Sequence, residues 1–168
     1  DTSPARRRAT VATWLNEKLV AARTPAEVLG VYGEHRERFS HVNLATAWHR
    51  VAKLAPPEGR RALRAFQRAH EAQLDALQAD IADALPRLQA RHLATSAYAA
   101  VAMERPANRV LLIAIAEASA RRVDSFSTQG LSNLLWAVAT ANVAAPALLE
   151  AVALAVRRRI GSFREEGF

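Results

Sequence analysis

Cysteine is absent from this chain of 168 residues, and glycine and proline are scarce. Without cysteine, the residues offer no disulfide, no zinc knuckle, no iron–sulfur cluster and no thiol catalysis. With 6 Gly, 7 Pro and 6% aromatic residues, the composition favours helix over sheet, since Ala and Leu form helices readily. It therefore predicts an all-α protein.

A long apolar run is also missing. The longest strongly apolar stretch, 110–116, lies between Arg109 and Glu117. It is far shorter than the roughly 18 residues that a membrane-spanning helix needs. We therefore expect no membrane partner.

Lysine is nearly absent, because Lys18 and Lys53 are the only two in a set of 23 basic residues. The net charge of +7 is thus almost entirely arginine. A guanidinium binds phosphate bidentately and stacks on bases, which points to nucleic acid. A GC-rich genome, which inflates both Ala and Arg, explains the same surplus without any binding.

The helices are predicted from capping signals and proline positions. Thr24-Pro25-Ala26-Glu27 is a capping box that places a helix start at residue 25. Other helices are expected at about 5–22, 41–54, 58–85, 89–104, 107–123, 128–142 and 145–160. The connections are short, so neighbouring helices should pack as antiparallel hairpins.

Three related segments, 39–52, 88–102 and 126–139, indicate an internal repeat. Phe126, Leu131 and Trp136 align with Leu88, Leu93 and Tyr98 at a spacing of 38 residues, and 88–102 aligns with 39–52 at a spacing of 49. The extra 11 residues fit the long charged segment 58–85.

The last helix begins a further copy, because 158–163 aligns with 121–126. It is expected to be a truncated repeat, from a longer natural chain or with an unresolved tail. Its core face is predicted to carry Leu149, Val152, Val156 and Ile160. The whole chain, 1–168, is then one array: a capping helix (1–24), a degenerate repeat (25–55), a repeat with a long inserted helix (58–105), the best repeat (107–142) and the truncated one (145–168).

The segment FSTQGLSNLLWAVATANV, residues 126–143, resembles the octotricopeptide repeat, a helical hairpin of about 38 residues. Similar degenerate repeats occur in FAST-kinase-like and RAP-associated proteins. The resemblance implies an α-solenoid of stacked antiparallel helical hairpins. It also implies RNA binding in mitochondria, or alternatively chloroplasts, in transcript processing, stability, translation or ribosome assembly.

Two groups of arginines are candidate RNA contacts. The first recurs at the ends of successive helices and comprises Arg121, Arg122, Arg157, Arg158 and Arg159. Cations at helix C-termini also complement the helix dipole, which is the structural alternative. The second group lies in the N-terminal half of the helix predicted over 58–85, where the helix dipole disfavours cations. It comprises Arg60, Arg61, Arg64 and Arg68. Ion pairs with neighbouring carboxylates are the alternative there.

Polar side chains of the repeat helices are the third candidate set. Gln129 and Asn133, together with Arg91, lie on a non-core face and are suited to hydrogen bonding with base edges. Asn133 is alternatively a structural residue of the inter-helix turn. The aromatic residues Trp48, Tyr98 and Trp136 are expected to pack against neighbouring residues rather than to stack on bases.

Catalytic patterns are lacking. The histidines show no metal-ligand spacing, and the chain has neither a phosphate-binding glycine loop nor a nucleophile elbow. We expect no enzyme, no metal and no cofactor. The resulting hypothesis is an organellar, preferentially mitochondrial protein that contacts and stabilises ribosomal RNA beside neighbouring ribonucleoprotein subunits. The alternatives are a protein-binding scaffold and a transcript-specific processing or stability factor.

Overall fold

The computed structural model describes the backbone of residues 4–165 and the side chains of residue 6 and residues 9–158. Within this part of the chain all regular structure is helical, which confirms the all-α prediction. The helices are α1 (Pro4–Ala21), α2 (Pro25–His35), α3 (His41–Lys53), α4 (Arg60–Ala69), α5 (Glu71–Ala84), α6 (Ala90–Ala102), α7 (Asn108–Ala120), α8 (Thr128–Thr140) and α9 (Pro146–Glu165).

A short backbone unit occurs three times. In each copy a three-residue 3₁₀ turn leads into two extended residues and then into a helix of 13 residues. The three helices are α3, α6 and α8, which begin at residues 41, 90 and 128. Left-handed residues follow two of them at equivalent positions, Glu104 with φ 47° and Asn142 with φ 49°. The repeat therefore recurs in the backbone at the spacings of the sequence alignment.

The best repeat begins with a hydroxyl cap. The Ser127 hydroxyl accepts a hydrogen bond from the Gly130 N–H at 3.1 Å, which satisfies one of the unpaired donors at the start of α8. A Cβ at residue 130 would lie 3.2 Å from the Ser127 Oγ and 3.5 Å from the Phe126 ring. Glycine at this position therefore leaves room for the buried Phe126 ring and the Ser127 hydroxyl to pack against the start of α8.

The helices form two rows. In the first row α1, α3, α6 and α8 contact one another in that order, and in the second row α2, α5, α7 and α9 do the same. The rows enclose a core that includes Trp48, Leu93 and Ile115, all fully buried. Each large apolar side chain there stabilises the fold by about 1.5–3 kcal/mol through burial. Alanines such as Ala97 and Ala137 at the contacts let neighbouring helices approach closely.

The single long helix predicted over 58–85 is wrong, because the chain breaks at His70 into α4 and α5. His70 has φ −123° and ψ 24°, outside the helical region. No glycine or proline marks the break. Its cause is tertiary: the Gln67 side chain of α4 donates to the Met103 carbonyl at the end of α6, whereas α5 packs between α3 and α7.

The core face predicted for the last helix is also wrong. Leu149 and Val156 are 55% and 47% exposed, whereas Leu148 and Ala155 are buried. The buried face is therefore shifted by one residue, and Val152 alone among the described members of the predicted face packs partly against the core. The helix continues through 158–163, so this segment does not repeat the turn at Val123–Ser125. Residues 166–168 of the predicted truncated repeat, and the side chains of Arg159 and Ile160, lie outside the described part.

Candidate nucleic-acid interface

Helix α4 is a basic helix that lies outside the two rows. It begins at Gly59, whose φ of 99° is in the left-handed region that glycine adopts without strain. Leu63, on its inner face, is buried, and Phe66 packs against the core beside it. The four arginines predicted as RNA contacts, Arg60, Arg61, Arg64 and Arg68, are all exposed.

Only one of these four arginines has a carboxylate partner among the described residues. The Arg60 guanidinium lies 3.1 Å from the Glu104 carboxylate, in a pair whose side chains are 77% and 47% exposed. Such surface pairs contribute little to stability. Arg61, Arg64 and Arg68 make no hydrogen bond or ion pair with any described residue, which leaves their donors free for an anion.

A groove runs from α4 toward the C-terminal end of α8. Two adjoining depressions of about 370 and 500 Å³ share Arg105 and Pro106 on their walls. Arg105 is held by the Asp75 carboxylate, and its side chain is only 8% exposed. The groove reaches Val101 on α6 and Thr140 on α8.

The exposed face of α6 and α8 continues this groove. Tyr98 precedes Val101 by three residues and Trp136 precedes Thr140 by four, so each ring lies about one turn from the groove. The two rings stack on each other with centroids 5.6 Å apart and planes inclined by 29°. Both are substantially exposed, Tyr98 at 44% and Trp136 at 47%.

The predicted base-reading residues lie on the same face. The Gln129 amide donates to the Asn133 Oδ1 at 2.9 Å, one turn before Trp136. Asn133 therefore bonds within its own helix, and no hydrogen bond of its side chain to the inter-helix turn is seen. Arg91, at the position equivalent to Gln129 on α6, is exposed and has no partner among the described residues. The structure thus brings Arg91, Gln129 and Asn133 together on adjacent helices.

The arginines predicted at the helix ends differ in whether they have hydrogen-bond partners within the protein. The Arg122 guanidinium donates to the carbonyls of Leu88 at 2.7 Å, Leu85 at 3.0 Å and Ala118 at 3.2 Å. Most of its donors are thereby used inside the protein. Arg158 donates to both carboxylate oxygens of Asp124 at 2.9 and 2.8 Å.

Arg121 and Arg157 are exposed, and no ion pair with another described residue is seen for either. They lie at the end of α7 and on α9, helices of the second row. Tyr98 and Trp136, in contrast, belong to α6 and α8 of the first row. Arg121 and Arg157 therefore lie apart from the α4 arginines and the aromatic face.

Arg87 was missed by the sequence reasoning. Together with Arg91, Arg122 and Ser125 it lines a depression of about 500 Å³ at the start of α6. Its only sequence signal is the equivalent Arg38, which stands 49 residues earlier at the end of another 3₁₀ turn. Arg91 consequently belongs to a basic group at one end of α6, and the α4 arginines lie at the other end.

Two histidines of the first row have a pKa below the ordinary value of a histidine. Burial lowers the pKa of His92 below its ordinary value, and the nearby Arg91 and His41 lower it further. Burial, followed by Lys53 and Arg50, lowers the pKa of His49 in the same way. Both shifts favour the neutral imidazole, so arginine supplies most of the positive charge of this face.

No cluster of three or more metal-ligating side chains occurs in the portion of the chain that the structure covers. None of the described helices combines the length and hydropathy needed to cross a bilayer. Comparisons with protein families, with curated proteins and with solved structures yielded no match to this chain. The interface is therefore interpreted from its own residues.

Proposed function

We propose that this chain is an RNA-binding α-solenoid of the mitochondrion that contacts and stabilises ribosomal RNA. The resemblance of 126–143 to the octotricopeptide repeat supports the RNA ligand and the organelle. A chloroplast location fits the same resemblance. The proposal contains no catalytic step.

The solenoid part of the proposal rests on the two rows of helices. In a solenoid each unit contacts its neighbours in sequence, and the units share one elongated core. The order of contacts α1, α3, α6, α8 is of this kind, and the repeated turn-and-helix unit supplies three of these four helices.

The row of unpaired arginines on α4 is the observation that best supports an RNA ligand. Arg61, Arg64 and Arg68 are exposed, lack a carboxylate partner among the described residues, and lie three to four residues apart on one side of a helix. Arg60 and Arg61 stand at the start of α4, where no acidic residue of the first turn offsets the unfavourable helix dipole, whereas Arg68 stands in the last turn, where the dipole favours a cation. An external polyanion accounts for the exposed basic side chains that have no carboxylate partner within the described residues.

RNA binding across a salt series tests the proposal, with fragments of mitochondrial ribosomal RNA against a scrambled RNA of equal length. The double variant Arg64→Ala/Arg68→Ala should reduce the slope of log affinity against log salt by about 1.4, since each lost phosphate contact lowers it by about 0.7 for a single strand. The lysine variant Arg64→Lys/Arg68→Lys should keep most of the slope, because the charge is retained.

The matched control is Arg23→Ala/Arg38→Ala, which removes two exposed arginines from elsewhere on the surface. Its slope should equal that of the unaltered chain. An unchanged slope in the α4 variant, or negligible binding of any RNA at physiological salt, would contradict the proposal. A preference for one messenger over ribosomal fragments would instead favour a transcript-specific factor.

A protein-binding scaffold is the second candidate function, favoured by apolar side chains exposed on the second row. Val110 on α7 is 72% exposed and Leu149 on α9 is 55% exposed. Val110→Glu/Leu149→Glu would abolish association with subunits of an organellar complex if this candidate is right. Loss of that association, with RNA affinity unaffected by the α4 variants, would establish the scaffold over the RNA-binding function.

A further inference from the structure

The three aromatic residues of the repeat helices have different environments. Trp48 is fully buried, and its indole N–H donates to the Ser96 carbonyl at 3.2 Å. It is a core residue, and it packs as predicted. Tyr98 and Trp136, which were also expected to pack, leave 44% and 47% of their surfaces exposed. The two rings pack on each other, as predicted, but both remain substantially exposed.

The two rings of this pair belong to neighbouring helices of the first row. Trp136 stacks on Tyr98 of α6, the helix that already neighbours α8. Trp136 therefore contacts the helix that precedes α8 in the row. The two rings, 29° from parallel, are stacked on each other and both stay partly exposed, so a further planar group can extend the stack.

The surroundings of the aromatic pair carry groups that suit a nucleotide. The Gln129 and Asn133 amides lie one to two turns before Trp136 on α8 and offer donors and acceptors to a base edge. Arg91 lies about two turns before Tyr98 on α6, and the groove that leads to the α4 arginines begins one turn after it. A partly exposed aromatic stack between two groups of cations fits bases in the middle of a chain of phosphates.

We propose that the ligand of this face is unpaired RNA, with a base stacked on the Trp136–Tyr98 pair and its edge against Gln129 and Asn133. The flanking phosphates then reach Arg91 at one end and the α4 arginines at the other. Duplex RNA does not fit this arrangement, because its bases are already stacked and are recognised through backbone and groove contacts. Aromatic stacking is the means by which proteins hold unpaired bases. The inference rests on the RNA-binding function proposed above.

The test compares an unpaired 12-nucleotide RNA with a duplex of the same sequence, bound to the full chain and to Trp136→Leu. The unaltered chain should bind the unpaired RNA more tightly. Loss of one stacked base weakens binding by roughly 5- to 100-fold, so Trp136→Leu should lose that much affinity for the unpaired RNA and little for the duplex. Trp136→Phe should restore most of it.

Trp14→Leu is the matched control. Trp14 is also an exposed helical tryptophan, at 38%, but its ring lies against His35 and under Lys18, away from the α6–α8 face. Its removal should leave both affinities unchanged. Unpaired RNA should quench tryptophan fluorescence in the unaltered chain and in Trp14→Leu, and the quenching should be lost in Trp136→Leu.

The outcomes separate this inference from the function on which it rests. Equal affinity for unpaired and duplex RNA, with no effect of Trp136→Leu, would overturn the stacking site and leave RNA binding intact. Absence of binding to either RNA would overturn both. A helical circular dichroism spectrum of Trp136→Leu ensures that a lost affinity reports the missing ring and not a lost fold.

Discussion

Helices α4 and α7 both have arginines, and they use them in opposite ways. At the two ends of α7, Arg109 donates to the carbonyls of Ala141 and Asn142 after α8, and Arg122 donates to the turn before α6. On α4, Arg64 and Arg68 contact no described hydrogen-bond or ion-pair partner. The arginines of α7 thus stabilise the fold, whereas Arg64 and Arg68 of α4 face solvent.

Arg50 belongs with the α7 arginines. Its guanidinium donates to the carbonyls of Leu19, Val20 and Ala22 at the end of α1. We call Arg50, Arg109 and Arg122 the clamp arginines, because each binds two or more main-chain carbonyls of a neighbouring helix or turn. The last carbonyls of a helix have no partner within it, so a guanidinium both satisfies them and complements the helix dipole. Net charge thus overstates the charge available to RNA.

The largest expected effect is at a clamp arginine. Arg122→Ala should lower the free energy of unfolding by about 2 kcal/mol, because several partly buried carbonyl bonds are lost. The corresponding fall in Tm is roughly 4–8 °C. Thermal and urea unfolding of Arg122→Ala measure the two quantities, and Arg122→Lys is measured in parallel.

Lysine keeps the charge of Arg122 but cannot reach several carbonyls with one planar group. Arg122→Lys should therefore be nearly as unstable as Arg122→Ala, whereas Arg64→Ala/Arg68→Ala should stay within about 0.5 kcal/mol of the unaltered chain. If Arg122→Lys is fully stable, the distinction between clamp and solvent-facing arginines fails.

An intermediate effect is expected where an arginine is held by a carboxylate. Asp80 on α5 accepts from the Arg36 guanidinium at 2.8 and 2.7 Å and from the Tyr32 hydroxyl at 2.6 Å. The bond from Arg36 is the main cause that holds the pKa of Asp80 below its ordinary value. Asp80→Asn should lower the free energy of unfolding at pH 6 by about 1 kcal/mol.

The pH dependence of this effect has a definite sign. A carboxylate whose folded pKa lies below its unfolded value stabilises the fold above about pH 4, and that stabilisation is lost as the pH falls through the folded pKa. The difference between the unaltered chain and Asp80→Asn should therefore shrink when urea unfolding is repeated at pH 3. A difference that is constant from pH 6 to pH 3 would show that the ionised carboxylate is not its source.

The smallest effect is expected at Arg158. Its pair with Asp124 joins side chains that are 60% and 69% exposed, where solvent screens the attraction. Arg158→Ala should change the free energy of unfolding by less than about 0.5 kcal/mol. A loss as large as that of Arg122→Ala would place Arg158 among the clamp arginines.

The sequence predicted what is local. Thr24 caps α2 by accepting from the Glu27 N–H at 3.1 Å, with Pro25 at the first helical position, as the motif indicated. The ends of α3, α6 and α8 lie within two residues of the predicted ones, because capping and turn residues mark them. The break at His70 has no such mark, since it depends on where α4 docks.

The candidate site was predicted only in part for the same reason. Gln129 and Asn133 share a face of α8 because they lie one helical turn apart, and Arg91 occupies the position equivalent to Gln129 in the α6 copy of the repeat. The partners of Arg122 in the turn before α6 stand 34 to 37 residues away in sequence, so composition cannot distinguish it from Arg121. Exposure of Tyr98 and Trp136 depends on the relative rotation of two neighbouring helices, which a pattern within either helix does not report.

The clamp arginines have a consequence for how the chain loses its structure. Arg50 links α3 to the end of α1, and the two clamps of α7 reach in both directions along the chain. Unfolding of one repeat therefore breaks hydrogen bonds to the adjacent repeat, which raises the energetic coupling between the two. Such coupling favours a single cooperative transition over melting that proceeds one repeat at a time.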